Sequence, residues 1–440
     1  MTTSNVASCD FGTSGVKATL VDTDGNVCST ATENYALLSP QPGWAEQEPE
    51  AYWTACCKAT RNAMAQIGAE PSQVKGIAFG THWKGVIPVD HQDRVLYNNI
   101  IWLDKRSGKQ AEELNKKLGT KFTSIDLWPR LMWLREHMPD MYQNAAYFLD
   151  LHAFLKFKAT GKKAVDATNH FFAATRESLQ AEYDRIVKAA ELDPDKIPPL
   201  VLPTPPVGEL TAQAAAELGL REGTPVFGGC SDIPAVAIGS GGSSKGSCHI
   251  YLGSSGWLGV MVPERREGVG DLVSSFLGDR DVVLYAMASA CMSYNWAIEQ
   301  FYHEDRKTAG DGVYSVMDRE LRGVEAGSGR LIAIPWIHGE IRNEHAKAVF
   351  FNVSHEHDRR HFVSAVLEGI CYTLRWKADA YREQTGNAIP EIRVVGGGAC
   401  SAPWMQRLAD ILQIPVHIPK TPRHAGPLGT AYCALIGLGI

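Results

Sequence analysis

Several short segments of the chain carry residue types suited to handling a polyphosphate and a hydroxyl group. In Asp10-Phe-Gly-Thr-Ser-Gly15 the glycines sit at a turn, where backbone N–H groups can approach an anion with no side chain in the way. Gly12, Thr13 and Ser14 supply amides and two hydroxyls there, and Lys17 closes the motif. An acid beside such a turn repels phosphate unless it faces the divalent cation that accompanies it, a role suited to oxygen ligands, so Asp10 fits the metal side. The same residues also suit an ordinary tight hairpin with Asp10 capping its turn. A second turn of this kind, Gly253-Ser-Ser-Gly256, offers Gly253, Ser254 and Ser255 as a matching set of donors. Two such turns facing each other would clamp a polyphosphate; alone, the second reads equally as a surface hairpin.

Gly228-Gly-Cys-Ser-Asp232 places an acid after a Gly-Gly turn at a strand end. Phosphoryl transfer asks a protein for positioning, charge stabilisation and a carboxylate that takes the proton of the attacking hydroxyl, and Asp232 can fill that last role. Asp is also a preferred helix N-cap, which the helix expected from Ile233 would use. In Val395-Gly-Gly-Gly-Ala399, the residues Gly397, Gly398 and Ala399 allow close approach of an adenine and ribose, although glycine runs are common in loops. For an acceptor, Thr81-His-Trp-Lys84 and Trp102-Leu-Asp-Lys-Arg106 contribute polar groups and aromatic faces of the kind a polyhydroxylated ligand needs. Trp83, Lys84, Trp102, Asp104 and Trp257 meet that description, while each tryptophan also suits a core or a domain interface.

The elements that must position these residues can be read from periodicity and turn chemistry. Two apolar runs flanking residues 10–15, then an Asp-Gly turn, spell a hairpin that opens a sheet. That separates the motif from a strand feeding a helix, and so from a dinucleotide fingerprint or a P-loop. An amphipathic helix is expected over 48–67, a buried strand over 74–79 and another over 86–90, an α/β alternation. From 104 to about 220 the pattern is mostly helical, clearest over 131–137 and 147–160, like an insertion decorating a core. After a Gly/Ser-rich stretch at 240–247, the segment 249–261 repeats the opening hairpin in outline, which suggests a duplicated architecture. Helices are expected around 289–301 and over 358–384 and 402–412.

At 440 residues the chain exceeds what one growing core supports, so two domains are expected, 1–240 and 241–440. A formal charge of −6 without a basic run argues against a nucleic-acid partner. The ten cysteines include no C-x-x-C pair and read as reduced thiols. With no signal-peptide order at the start and no apolar run near the ~20 residues of a spanning helix, the expectation is a cytoplasmic protein with no membrane partner. A homodimer is the base-rate expectation for its assembly.

Taken in order, these segments resemble the FGGY carbohydrate kinases, and among them xylulose kinases most nearly. The resemblance rests on eight stretches spanning nearly the whole chain. They are Asp10-Phe-Gly-Thr-Ser-Gly-Val-Lys17, Gly43-Trp-Ala-Glu-Gln-Glu48, Ile101-Trp-Leu-Asp-Lys-Arg106, the 229–239 stretch, 252–256, Ala365-Val-Leu-Glu-Gly369, Gly396-Gly-Gly-Ala-Cys-Ser401 and Gly426-Pro-Leu-Gly-Thr-Ala431. It implies duplicated α/β domains of the ribonuclease-H-like, actin-type ATPase fold, with ATP and Mg2+ in an interdomain cleft and the sugar held mainly by the N-terminal domain. It makes Asp232 the catalytic base and Asp10 the residue organising metal and phosphates. Gly253 and Ser254 would lie near the transferring phosphoryl, Gly397, Gly398, Ala399 and Ser401 around the nucleotide, and Trp83, Trp102 and Asp104 near the sugar. The implied reaction is ATP-dependent phosphorylation of a small ketose, D-xylulose first, with ribulose, an erythritol-like polyol, or a non-catalytic nucleotide-binding role as alternatives. The turn Gly80-Thr-His-Trp-Lys-Gly85 departs from the Gln-Met-His-Gly of many xylulose kinases and is one residue longer, which leaves the sugar open.

Overall fold

The computed structural model describes residues 4–170, 178–263, 268–341, 343 and 345–440. They form two compact units, one of Met1–Ala235, Val273–Gly278 and Gly426–Ile440, the other of Val236–Leu272 and Asp279–Ala425. The expected division at 240/241 follows the sequence, whereas packing ends the first unit at Ala235 and returns Gly426–Ile440 to it.

In the first unit, the apolar residues of Asn5–Phe11 and Val74–Thr81 are buried along almost the whole of each strand, as befits central strands covered on both faces. The sheet runs Pro206–Glu209, Pro225–Phe227, Val74–Thr81, Asn5–Phe11, Gly15–Asp22, Val27–Asn34, and Cys230–Ser231 also pairs with Val74–Thr81. Asn5–Phe11 and Gly15–Asp22 form the expected antiparallel hairpin, while Val74–Thr81 lies parallel to Asn5–Phe11. The helix Pro49–Gln66 buries Tyr52, Trp53, Cys56, Ala59 and Ala63 in the core with Phe11, Val16 and Phe79.

The second unit repeats this order as Asp271–Val273, Asp281–Met287, Gly256–Val262, Cys248–Leu252, Ile392–Val395, Val416–His417. Here too a hairpin and a third antiparallel strand are followed by two parallel strands from far along the chain. The short repeat in the sequence thus marks a duplicated topology. The long helix Arg359–Thr385 in this unit begins at Asp358, whose carboxylate accepts the Arg360 N–H at 3.0 Å, and ends at Gly386 with φ +71°.

One expected helix is corrected. Of the stretch 147–160, only Leu151–Thr160 is helical; Ala145–Leu149 is a strand paired antiparallel with Ile87–Asp90. Asp150 makes the break, capping the helix by accepting the Ala153 N–H at 2.6 Å. The helix-rich segment also holds short strands at Val165–Asp166 and Leu200–Val201, and its residues 171–177 lie outside the described residues.

The small-residue helix Ala425–Gly437 wedges into the first unit. A Cβ at Gly429 would stand 1.8 Å from the Ala235 carbonyl oxygen, and one at Gly80 would stand 2.1 Å from Thr430 Oγ1. Only glycine allows approach this close. The Ser8 hydroxyl donates to the Pro427 carbonyl at 2.6 Å and ties the helix to the opening strand.

Candidate active site

Register decides which residues share the carboxyl edge of the first sheet. Asp10 stands opposite Gly80 on one side and Lys17 on the other, and Cys230 also stands opposite Gly80. The parallel strands therefore end at one level, and Asp232, two residues past Cys230, begins the helix Asp232–Gly239 at that edge. Ligands of open α/β sheets gather at this edge because loops and helix N-termini meet there. Burial pushes the Asp232 carboxyl up to about 7, and the negative charge of Asp10 adds to the rise. Burial pushes Asp10 up as well, with Lys17 pulling it part-way back. The Asp232 side chain is partly exposed as a whole, yet its Oδ1 is sealed from solvent with no hydrogen-bond partner among the described residues. Two carboxylates thus share one edge, with Lys17 offsetting Asp10, an arrangement that favours an added positive charge. Among the described residues no three His, Cys, Asp or Glu gather as a metal cluster, so a cation here would take ligands from Asp10, water and its own phosphates.

Gly426 was not singled out as a site residue, yet a Cβ there would stand 2.6 Å from Asp10 Oδ2. The N-terminal turn of Ala425–Gly437 is thereby seated directly against that carboxylate, where the helix dipole favours negative charge. The only sequence sign was the small-residue run itself.

The hairpin turn after Asp10 is held from behind. Tyr35 Oη donates to the Gly12 carbonyl and, at 3.1 Å, to that of Gly15; Gln47 Nε2 donates to the Thr13 carbonyl at 2.8 Å; the Tyr35 N–H donates to the Ser14 carbonyl at 3.3 Å. Because a trans peptide sets N–H opposite C=O, engaging these carbonyls turns the amides of Thr13, Ser14 and Gly15 the other way, toward an incoming anion. Trp102, expected near the acceptor, braces this turn by donating Nε1–H to Thr13 Oγ1 at 3.2 Å. Gln47 is fixed in turn by Tyr52 Oη, which donates to its Oε1 at 2.7 Å. This gives the Gly43–Glu48 motif a physical role that sequence alone did not reveal.

On the acceptor side, Trp83 is partly exposed, and Lys84, at φ +60°, is buried in an ion pair with Asp126 with its ammonium 4.2 Å from the Trp83 ring centre. Beside them His82 is 3% exposed, and burial lowers it to about 4, with the Trp83 backbone pulling it part-way back, so its imidazole is neutral. Asp104, expected near the sugar, is engaged within the protein. It is fully buried, and its oxygens accept from the Ala45 N–H (2.7 Å), the Arg106 N–H (3.0 Å) and the Arg106 guanidinium (2.9 and 2.7 Å). Arg106 also pairs with Glu46 at 2.7 Å and stacks 3.6 Å from the Trp44 ring centre. Asp104 has no spare acceptor for a sugar hydroxyl; it anchors Arg106.

In the second unit the Gly253–Ser255 turn mirrors the first. The Gly253 carbonyl accepts the Cys291 N–H at 2.9 Å and the Ser254 carbonyl accepts the Ala290 N–H at 3.0 Å, which turns the Ser254 and Ser255 amides away from the start of the helix Cys291–Phe301. Trp257, expected on the acceptor side, is buried in its own unit, stacked on Tyr251 at 4.2 Å and donating to His249 Nε2 at 3.0 Å. In the glycine run, Gly398 and Ala399 are buried, a Cβ at Gly398 would stand 2.7 Å from Trp404, and Gly397 is the exposed member. Ser401 caps the helix Ala402–Leu412 and donates to Asp318 at 2.6 Å.

Residues 6–239 match the N-terminal domain of the FGGY family of carbohydrate kinases, and residues 248–438 match its C-terminal domain. The chain belongs to this family. As an FGGY carbohydrate kinase it carries the two-domain, actin-like α/β ATPase fold and uses ATP and a sugar as substrates. It is 28% identical to the xylulose kinase of Bacillus subtilis over 99% of this chain and 88% of that one. It is 26% identical to the L-xylulose/3-keto-L-gulonate kinase of Escherichia coli, over 98% and 88% respectively. The crystal structure of xylulose kinase from Rhodospirillum rubrum superimposes with a TM-score of 0.82 at 26% identity, covering 99% of this chain and 90% of the other. No helix among the described residues is long and apolar enough to cross a membrane.

Proposed function

We propose that this FGGY kinase transfers the γ-phosphoryl of ATP to a terminal hydroxyl of a small ketose, D-xylulose first, giving xylulose 5-phosphate. The observation that carries the reading is Asp232: a buried, unpaired carboxylate oxygen held near neutral pH at the ligand-binding edge of the first sheet. A group titrating near the working pH is suited to accept a proton as its partner attacks. The sugar oxygen forms a bond to the γ-phosphorus, the bond from that phosphorus to the β-bridging oxygen breaks, and the hydroxyl proton passes to Asp232. Mg2+, when bound on the Asp10 side, would supply the positive charge that neutralises the phosphoryl oxygens. The Thr13, Ser14 and Gly15 amides serve the phosphates from one hairpin, with Lys17 beside them. Gly253, Ser254 and Ser255 serve them from the other, and Gly397 takes the nucleoside side. Trp83, Lys84 and neutral His82 border the acceptor.

The relatives' names support a pentulose and divide between xylulose and L-xylulose, so both hands belong in the assay. ADP release is measured with ATP and Mg2+ against D-xylulose, L-xylulose, ribulose, other ketoses and polyols. The expected result is release that depends on a pentulose and falls at least about a hundredfold in Asp232→Asn while nucleotide binding persists. Sugar-independent release would point to a plain hydrolase, and near-normal turnover in Asp232→Asn would remove Asp232 as the base.

A further inference from the structure

Asp232 Oδ1 has no hydrogen-bond partner among the described residues, and the hydrogen bonds its carboxyl does receive come from the backbone of Ile233 and of Asp232 itself, so its direction is set by the backbone that delivers it. That backbone is gripped in an unusual way. Ser231, the residue before the base, gives its N–H to the Thr168 hydroxyl at 2.8 Å, and its own hydroxyl donates to the Thr168 carbonyl at 3.2 Å. The Thr168 hydroxyl, with one proton to give, donates it to Asp166 Oδ2 at 2.5 Å. Donation to a carboxylate is strong and directional, so it leaves the hydroxyl's lone pairs turned toward the Ser231 amide. Asp166, Thr168 and Ser231 are all 0–1% exposed, so water cannot substitute for any of these bonds. Behind them lies Lys156, also fully buried, whose Nζ makes no hydrogen bond among the described residues and whose charge attracts Asp166 and Asp150. A buried Lys and Asp held apart is poor value as a stabilising device, since apolar residues of like volume would serve stability as well or better. Burial pushes the Asp166 carboxyl up to about 6, and the Lys156 charge and the Thr168 hydrogen bonds pull it part-way back.

We propose that Asp166 and Thr168 are positioning residues for phosphoryl transfer: through the Ser231 amide they fix the peptide that aims the Asp232 carboxylate. This rests on Asp232 being the base. Neither residue touches substrate, and both act through geometry alone. A misplacement of about an ångström at a reacting group can cost about a hundredfold in rate.

The test compares Thr168→Val, which keeps shape and removes the hydroxyl, with Thr168→Ser, which restores it. Thr168→Val should lower kcat about 10- to 100-fold with the acceptor KM changed less than about threefold, and Thr168→Ser should recover most of the loss. In an Asp232→Asn background, Thr168→Val should have no further effect on the residual rate, because there is no base left to aim. If Thr168→Val does not fold, Asp166→Asn carries the same test by weakening the bond that fixes the hydroxyl, with an expected loss in kcat of about 3- to 30-fold. Unchanged kcat in the folded variant, equal losses in Val and Ser, or the same fold-loss with and without Asp232 would overturn the proposal. Full activity in Asp232→Asn alone is a separate result, and it would count against the base assignment instead.

Discussion

Replacing Asp232 with Asn should make the protein more stable while making it inactive, and the pH dependence of that gain can be worked from the structure. The folded carboxyl sits at about 7, against an ordinary value of 3.8. Between those values the folded state holds a proton that the unfolded chain has released, so stability falls as pH rises through this window and the loss is complete above about 7. The gap corresponds to at most about 4 kcal/mol, and partial exposure of the side chain lowers it. Asn carries no charge, but its buried amide costs about 1–3 kcal/mol where it stays unpaired. The net expectation is a gain of about 1–3 kcal/mol at pH 8, or several degrees in Tm, that shrinks to nothing or reverses near pH 5. Calorimetry of both proteins at pH 5, 6, 7 and 8, free of metal and nucleotide, measures the difference. A Tm difference that does not change with pH, or that grows toward acid, would refute the account of Asp232 as a strained, buried carboxylate.

Two other substitutions test the frame around it. Gly426→Ala drives a methyl to within 2.6 Å of Asp10 Oδ2, so kcat should drop about 10- to 100-fold and the Mg2+ concentration for half-maximal rate should rise; a metal titration with normal kcat would contradict the seating of that helix on Asp10. Asp104→Ala leaves the buried Arg106 with Glu46 as its one remaining carboxylate among the described residues and should cost about 3 kcal/mol of stability, with little change in acceptor KM for whatever fraction folds; a selective KM defect would return Asp104 to the sugar.

What could be read in advance followed the range of the interactions involved. The hairpin Asn5–Asp22, the helix Pro49–Gln66 and the capped helix Ala402–Leu412 are set by local signals, glycine turns, Pro near a helix start and Ser401 as a cap, and they stand where those signals put them. The strand Ala145–Leu149 was hidden because a short apolar run beside a helix has no period of its own; its partner, Ile87–Asp90, lies far away in sequence. Asp104 and Trp257 show the same limit at side-chain level. A carboxylate two residues from an arginine and a tryptophan after a Gly-Ser turn both look available until Glu46, Ala45, His249 and Tyr251 close around them. The support of the phosphate hairpin by Gln47 and Tyr35, and the grip of Thr168 on Ser231, are likewise distant contacts that no local pattern announces.

The wedge formed by Ala425–Gly437 has an implication for the order in which this enzyme comes to life. Synthesis proceeds from the N-terminus, so the strand bearing Asp10 and the helix that starts at Asp232 are made first, while the piece that packs against Asp10 and Ala235 follows only after all of Asp279–Ala425 has been made. From the synthesis of Asp232 until that of Gly426 a nascent chain therefore carries both acids without the helix that seats one of them. Cutting the gene between the two units would leave the first without its keystone, and any split version of the protein would have to supply Gly426–Ile440 to the N-terminal half as a third fragment.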